Sequence, residues 1–369
     1  MRLASAEDFI QQRLHLDLLL LLQLLLLSAV GLLVLYSASN QDMEMIQKQV
    51  SRLALAFLVM VLLAQIPPAA LQRWSLSIFT FATILLMLVL LLGTIGKGAQ
   101  RWLDLGLVRL QPSEFMKLAV PMVIAWYLHE KPLPPWGRHT LVSALFCLLP
   151  TLLILKQPDL GTALLIASSG VFVLLFAGLQ WHLIGVLSLL LLPSVYLFWI
   201  FGMHDYQRQR VMTLFNPESD PLGSGYHIIQ SKIAIGSGGV FGKGWLNGTQ
   251  SHLEFLPERH TDFIFAVFCE EFGLFGVILL LILYLTIVLR GLYIASQAQT
   301  TFARLLGGAL AMTFLIYVSV NIGMVIGLLP VVGLPLPLIS YGGSSIVTLM
   351  ASFGILMSIH THRKLLTNA

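Results

Sequence analysis

Residues 18–36 read LLLLLQLLLLSAVGLLVLY, a run without a single charge. At about 1.5 Å per residue such a run crosses a hydrocarbon core of about 30 Å as one helix. The SAS that follows at 37–39 imitates a signal-peptide cleavage site. The apolar run is longer than the about 7–15 residues of a signal h-region, however, and more spans follow it. It is therefore read as an uncleaved first span.

Working outward, the chain is 57% hydrophobic and 10% charged, against about 25% charged in soluble domains. Apolar runs bounded by charge or by Pro and Gly fall near 17–36, 51–66, 75–93, 115–129, 139–155, 160–178, 182–202, 263–289, 304–328 and 335–360. They predict an all-α, polytopic integral membrane protein with ten transmembrane helices, in one domain covering 1–369. The alternation of an outer-membrane barrel is absent. The net charge of +4 is small and scattered, so nucleic acid is not an expected partner. Cys147 and Cys269 lie in apolar runs and form neither a disulfide framework nor a metal set. No internal repeat is visible, which disfavours repeat-built transporters.

Two connections are long enough to hold a site: 94–114, and 203–262 between helices 7 and 8. An even span count puts both termini on one face and both connections on the other. Arg2, Arg13, Arg73, Lys131, Arg138, Arg290, Arg304, Arg363 and Lys364 fall on the termini face. Lys48, Arg52, Lys97, Arg101, Arg109, Lys117 and Lys156 fall on the far face. The basic tail tips the balance towards cytoplasmic termini. Cations kept on the far face point to an anion there, or to solvated loop charge.

Three constellations set carboxylates beside cations at that face. In QPSEFMK, 111–117, Pro112 and Ser113 suit a helix start with Ser113 as N-cap, and Glu114 and Lys117 share one face of the first turn. In LKQPDLGTALL, 154–164, Asp159 follows Pro158 at a tight hairpin and suits the next helix N-terminus. In LPERHTDFIF, 256–265, Asp262 directly precedes an apolar run, either as an N-cap or as a functional carboxylate beside Glu258, Arg259 and His260. Glu270 and Glu271 lie two turns further on, too costly for lipid and so facing protein or water. The segment 236–248, GSGGVFGKGWLNG, offers backbone N–H groups to a phosphate or is simply a flexible turn; it lacks P-loop spacing. Arg208 and Arg210 suit a diphosphate or lipid headgroups. The segment 327–345, broken by prolines and glycines, is expected to line the site or a lipid groove. Cations, carboxylates and glycine-rich backbone at a membrane face fit an enzyme acting on a lipid-linked substrate, or a transporter of such a lipid.

From about residue 37 to the C-terminus, YSAS, AQIPP, GKGAQRWLDLG, QPSE, KQPDLGT, YQRQRV, HIIQSKIAIGSGG, LPERHTDFIFA, GLLPVVGLPLPLISYGGSS and SIHTHRK occur in one order. By these motifs the chain resembles the SEDS family (shape, elongation, division and sporulation proteins). Its glycine-rich loop resembles the elongation type rather than the division type. The resemblance implies a peptidoglycan glycosyltransferase of the bacterial inner membrane. Such an enzyme polymerises lipid II into β-1,4-linked glycan strands at the periplasmic face during rod-shaped elongation. It also implies ten helices with a large periplasmic loop. The partners it implies are a class B penicillin-binding protein and other elongation-complex membrane proteins, besides the nascent glycan strand and membrane lipid.

On that reading Asp262 is the base, Glu114 orients Lys117, and Asp159 supplies positioning and electrostatics. Lys97, Arg101, Lys117, Arg208 and Arg210 meet the diphosphate. Trp102, Arg109, Glu258, His260 and Ser340 complete the substrate-binding set. No cofactor is required, though a divalent cation, Mg2+ or Mn2+, would assist the leaving diphosphate. A lipid II flippase is the alternative function.

Overall fold

The computed structural model describes residues 14–362 apart from 97–98, 105, 107–108, 181, 183–184, 186–188, 190–192, 194–195, 204, 221–222, 253–255 and 257. The chain runs α1 (Leu18–Ala38), α2 (Met43–Ala64), α3 (Pro68–Leu92), β1 (Thr94–Gly96), β2 (Ala99–Asp104), β3 (Arg109–Leu110), α4 (Pro112–Leu128), α5 (Arg138–Lys156), α6 (Leu160–Phe176), α7 (Asp205–Phe215), α8 (Ser224–Gly238), α9 (Ile264–Ser296), α10 (Thr301–Val325) and α11 (Ser344–Thr361). Among the described residues, seven helices are long and apolar enough to cross a membrane, namely α1, α2, α3, α5, α9, α10 and α11. The shorter α6 is also apolar. Most of the expected span at 182–202 lies outside the described residues.

Local chemistry sets many of the helix starts. The carboxylate of Asp17 accepts from Leu20 N at 2.8 Å, that of Asp42 from Glu44 N, and the hydroxyl of Thr300 from Ala303 N. Proline stands at the first position of α3 and α4, where no N–H is needed. α4 starts at Pro112 with Gln111 before it, so Ser113 lies inside the helix and is not its N-cap. α10 is buried along its length, and α9, α6 and α4 pack against it. On the outer helices the pattern is inverted relative to a soluble protein. Leu22, Leu58, Phe81 and Leu145 are more than half exposed, as lipid-facing side chains should be.

Two ties bracket the bundle. Asp17, just before α1, is 1% exposed and is held by Arg290 of α9 at 2.6 Å and by His360 of α11 at 3.2 Å. At the other end of α1, Ser37 donates to the carboxylate of Glu271 of α9. Twenty residues of helix separate Asp17 from Ser37, about 30 Å, which is the thickness of a hydrocarbon core. The rings of His15 and His362 stack at 4.1 Å, so both described ends of the chain lie at the Asp17 end.

Both long connections fold. The first corrects the all-α expectation. Its strands form an antiparallel sheet in the order β1-β2-β3, with Gly96 opposite Ala99 and Leu103 opposite Leu110. The alternation of buried Leu103 and exposed Asp104 is a strand period, and it went unread inside a segment treated as loop. The second connection carries α7 and α8 and a helical turn at Thr249–His252, with α8 packed on α9.

Candidate active site

The site gathers at the Ser37 end of the bundle, around the proline-broken segment that precedes α11. α4 carries Glu114 and Lys117 on one face, and their side chains meet at 2.7 Å although both are buried. Lys117 also reaches the Tyr317 hydroxyl of α10 at 3.5 Å and lies over that ring at 5.1 Å. One turn further along α10, the buried Asn321 amide donates to the Asp262 carbonyl at 3.0 Å and to the Leu334 carbonyl at 2.6 Å. Through Tyr317 and Asn321, α10 thus joins the Glu114–Lys117 pair to the Asp262 turn. Neither residue had been singled out from the sequence. The signal available was a lone asparagine within an apolar span, which must find a partner.

Asp159 caps α6, accepting from Thr162 N at 3.2 Å, and it is 4% exposed. Arg101 of β2 approaches it at 3.6 Å and donates to the Pro158 carbonyl at 2.7 Å. The small sheet therefore has a purpose at this site: it carries Arg101 onto the hairpin of Asp159. Gly161 packs against the Val332 carbonyl and the Leu334 side chain so closely that a Cβ there would stand 3.1 Å from each. Arg210 of α7 donates to the Val331 carbonyl at 2.9 Å. Arg101, Gln207, Arg210 and Pro330–Val332 line one cleft.

Asp262 sits in the turn before α9, partly exposed, with its carboxylate facing Gly333. It is not the N-cap of α9; Phe263 holds that position without any side-chain cap. The turn is fastened from the broken segment. The Ser340 hydroxyl donates to the Thr261 carbonyl at 2.6 Å, and Tyr341 N donates to the His260 carbonyl at 2.8 Å. Thr261 donates to the Glu258 carboxylate at 2.6 Å. Ser340 and Glu258 thereby act on the turn itself. The His260 ring packs edge-on against Tyr341, which lies beneath the Arg52 guanidinium at 4.4 Å.

Of the other expected residues, two have described side chains and two do not. Arg208 donates to the carbonyls of Trp199 and Ile200 and is not among the residues lining the Arg101 cleft. Trp102, next to Arg101 on β2, is half-buried. Arg109 opens β3, but its side chain, like all of Lys97, lies outside what is described.

The glycine-rich segment does not offer its backbone to a phosphate. Lys243 N and Gly244 N donate to the carbonyls of Glu270 and Glu271 at 3.0 Å, and Leu274 N and Phe275 N donate back to Gly239 and Val240. The segment fills a break in α9 at Gly273, whose φ is 61°. The Glu270 carboxylate, fully buried, accepts from Lys243 Nζ at 2.7 Å, Thr249 N at 2.9 Å and Gln250 N at 3.0 Å. Glu270 is thus a structural anchor of this loop. No group of three His, Cys, Asp or Glu converges among the described residues.

Comparison with known proteins places the chain in one family. Residues 17–365 match the model of the FtsW/RodA/SpoVE family, described as cell cycle proteins. The chain is 56% identical over 357 residues to the peptidoglycan glycosyltransferase MrdB of Escherichia coli K12, covering 97% of this chain and 96% of that one. It is 32% identical to the peptidoglycan glycosyltransferase RodA of Treponema pallidum, covering 98% of this chain and all of that one. Among solved structures, a chain from a peptidoglycan synthase complex that coordinates polymerization and crosslinking superposes with a TM-score of 0.80 at 34% identity, over 95% of this chain and 99% of that one. The Thermus thermophilus rod shape determining protein RodA superposes with a TM-score of 0.71 at 30% identity, over 95% and 98% of the two chains. The chain belongs to the FtsW/RodA/SpoVE family of membrane proteins.

Proposed function

We propose that this protein is a peptidoglycan glycosyltransferase that polymerises lipid II into β-1,4-linked glycan during cell elongation. The observation that carries the reading is the convergence, on residues 330–333, of one partly exposed carboxylate with two cleft-lining arginines. Asp262 faces Gly333, Arg210 holds Val331, and Arg101 with Asp159 lies beside Val332. In the reaction a GlcNAc 4-hydroxyl attacks the anomeric carbon of a MurNAc, the bond to undecaprenyl diphosphate breaks, and the configuration inverts. Asp262 takes the hydroxyl proton, as a positioned base. The diphosphate departs already anionic and needs cations rather than an acid. Arg101 and Arg210 meet it, and Lys117, oriented by Glu114, adds positive charge behind them.

In this reading both termini are cytoplasmic, the membrane is the bacterial inner membrane and the site faces the periplasm. A class B penicillin-binding protein supplies crosslinking, with other elongation-complex proteins nearby. The similarity to a chain of a peptidoglycan synthase complex supports the first partner.

The test is lipid II polymerisation in detergent by the purified protein with its penicillin-binding partner. Moenomycin silences unrelated polymerases, and Asp262→Ala runs alongside. Glycan chains that vanish in the variant are the expected result. Detergent abolishes compartments, so a flippase yields no product there, and absence of glycan from a folded complex would favour lipid II flipping.

A further inference from the structure

At the opposite end of the bundle from the active site, a polar cleft of about 560 Å³ opens between the start of α3 and the end of α4. Its walls are Ala69, Gln72 and Arg73 on one side and Trp126, Tyr127, His129, Glu130 and Lys131 on the other. The position follows from a neighbouring contact. The Gln65 amide, just after α2, donates to the Leu14 carbonyl at 2.5 Å, and α3 begins three residues later. The cleft therefore lies at the Asp17 end, at the face that carries both described chain ends.

Its chemistry is that of an anion site at headgroup depth. Among the described residues, neither Arg73 nor Lys131 forms an ion pair with a carboxylate. The one acid lining the cleft, Glu130, is 76% exposed at its side chain and lies 3.3 Å from the His129 ring. Lys131 lies over the Tyr127 ring at 6.0 Å, and Tyr127 is fixed by His139 Nδ1 at 3.1 Å and by the edge of Phe146. One wall is thus built rather than mobile. Trp74, next to Arg73, is 51% exposed, and Trp136, just past Lys131, is 63% exposed. Exposed tryptophans beside cations at a helix end mark the membrane–water interface. Positive charge on this face satisfies topology wherever it stands. What topology does not require is two cations lining one cleft with an aromatic floor and the Gln72 amide beside them.

We infer that this cleft binds the phosphate of an anionic phospholipid from the leaflet on the Asp17 side, with Arg73 and Lys131 as the phosphate ligands and Gln72 as a polar contact to the headgroup. The reaction site at the other end is not involved. The ligand chemistry is an anionic phosphate, and two sources carry it, a lipid headgroup and free phosphate in solution.

The test uses the full-length protein purified in a mild detergent and offered equal amounts of phosphatidylglycerol and phosphatidylcholine, with bound lipid counted by native mass spectrometry. Wild type is expected to retain phosphatidylglycerol preferentially. Arg73→Gln with Lys131→Gln is expected to weaken that retention by about 30-fold, the loss of two cations at headgroup depth. Arg304→Gln, a cation on the same face outside the cleft, should leave it unchanged. Equal retention by wild type and the double variant, both monodisperse and of equal melting temperature, would overturn the proposal. Displacement of the lipid by millimolar inorganic phosphate would assign the site to the free anion. Persistence of the lipid under phosphate would assign it to the headgroup.

Discussion

Two buried ion pairs at opposite ends of the molecule obey the same electrostatics and should differ in what they do. Lys117 and Glu114 are both 8% exposed, so removing one partner leaves the other charge without compensation. Lys117→Ala is expected to cost about 3–5 kcal/mol of stability. Replacing both, as Glu114→Gln with Lys117→Met, should recover most of that melting temperature in detergent while glycan synthesis stays low. Asp262 behaves in the opposite way. Asn321 and Ser340 hold the backbone of its turn, a grip that Asp262→Asn leaves in place, so the variant should stay folded. Its turnover should fall by about 10²–10⁴-fold, the usual worth of a positioned base. A folded variant that keeps full turnover would remove Asp262 from that role.

At the scale of the element, α9 and the glycine-rich loop form one unit. The helix breaks at Gly273, and the loop backbone from Gly239 to Gly244 supplies partners for the groups the break exposes. At Gly242, with φ of 78°, a Cβ would stand 2.1 Å from the Glu271 carbonyl oxygen. Gly242→Ala should therefore destabilise by more than about 1 kcal/mol. Hydrogen exchange read over 238–252 should become faster. Gly236→Ala is the internal control, because a Cβ there meets nothing within 4 Å and the position is helical. Equal exchange in the two variants would mean that the loop is held by Glu270 and Lys243 alone.

Across the whole molecule, the Asp17–Arg290–His360 cluster ties the start of α1 to the ends of α9 and α11. Arg290→Ala leaves Asp17 buried without its closest cation and is expected to cost about 3–5 kcal/mol. Cellular abundance and the detergent melting temperature should drop together. Specific activity of the surviving folded protein should stay near wild type, since the cluster lies about 30 Å from the site. That pattern contrasts with the Glu114–Lys117 pair, where rescue of the fold leaves activity low. If Arg290→Ala lost activity per folded molecule, the two ends of the bundle would be coupled.

Much of this was legible from residue types and order alone. Uncharged runs of membrane length dictate helices, because lipid offers no partner to a backbone group. Asp159 after a proline reads as a cap and is one. The SEDS motifs identified the family and the carboxylates worth attention. Other features needed the third dimension. Arg101 meets Asp159 across 58 residues only because the small sheet folds over the hairpin. Tyr317 and Asn321 join two constellations because α10 runs through the middle of the bundle. The glycine-rich loop looked like a phosphate cradle because glycine permits both uses, and only the break at Gly273 shows where its N–H groups go. Sequence determined which segments are apolar enough to enter a membrane, since transfer free energy is a property of each side chain. Tertiary structure decided which polar groups face each other, since a buried charge or N–H is satisfied only by whatever the packing brings within about 3 Å.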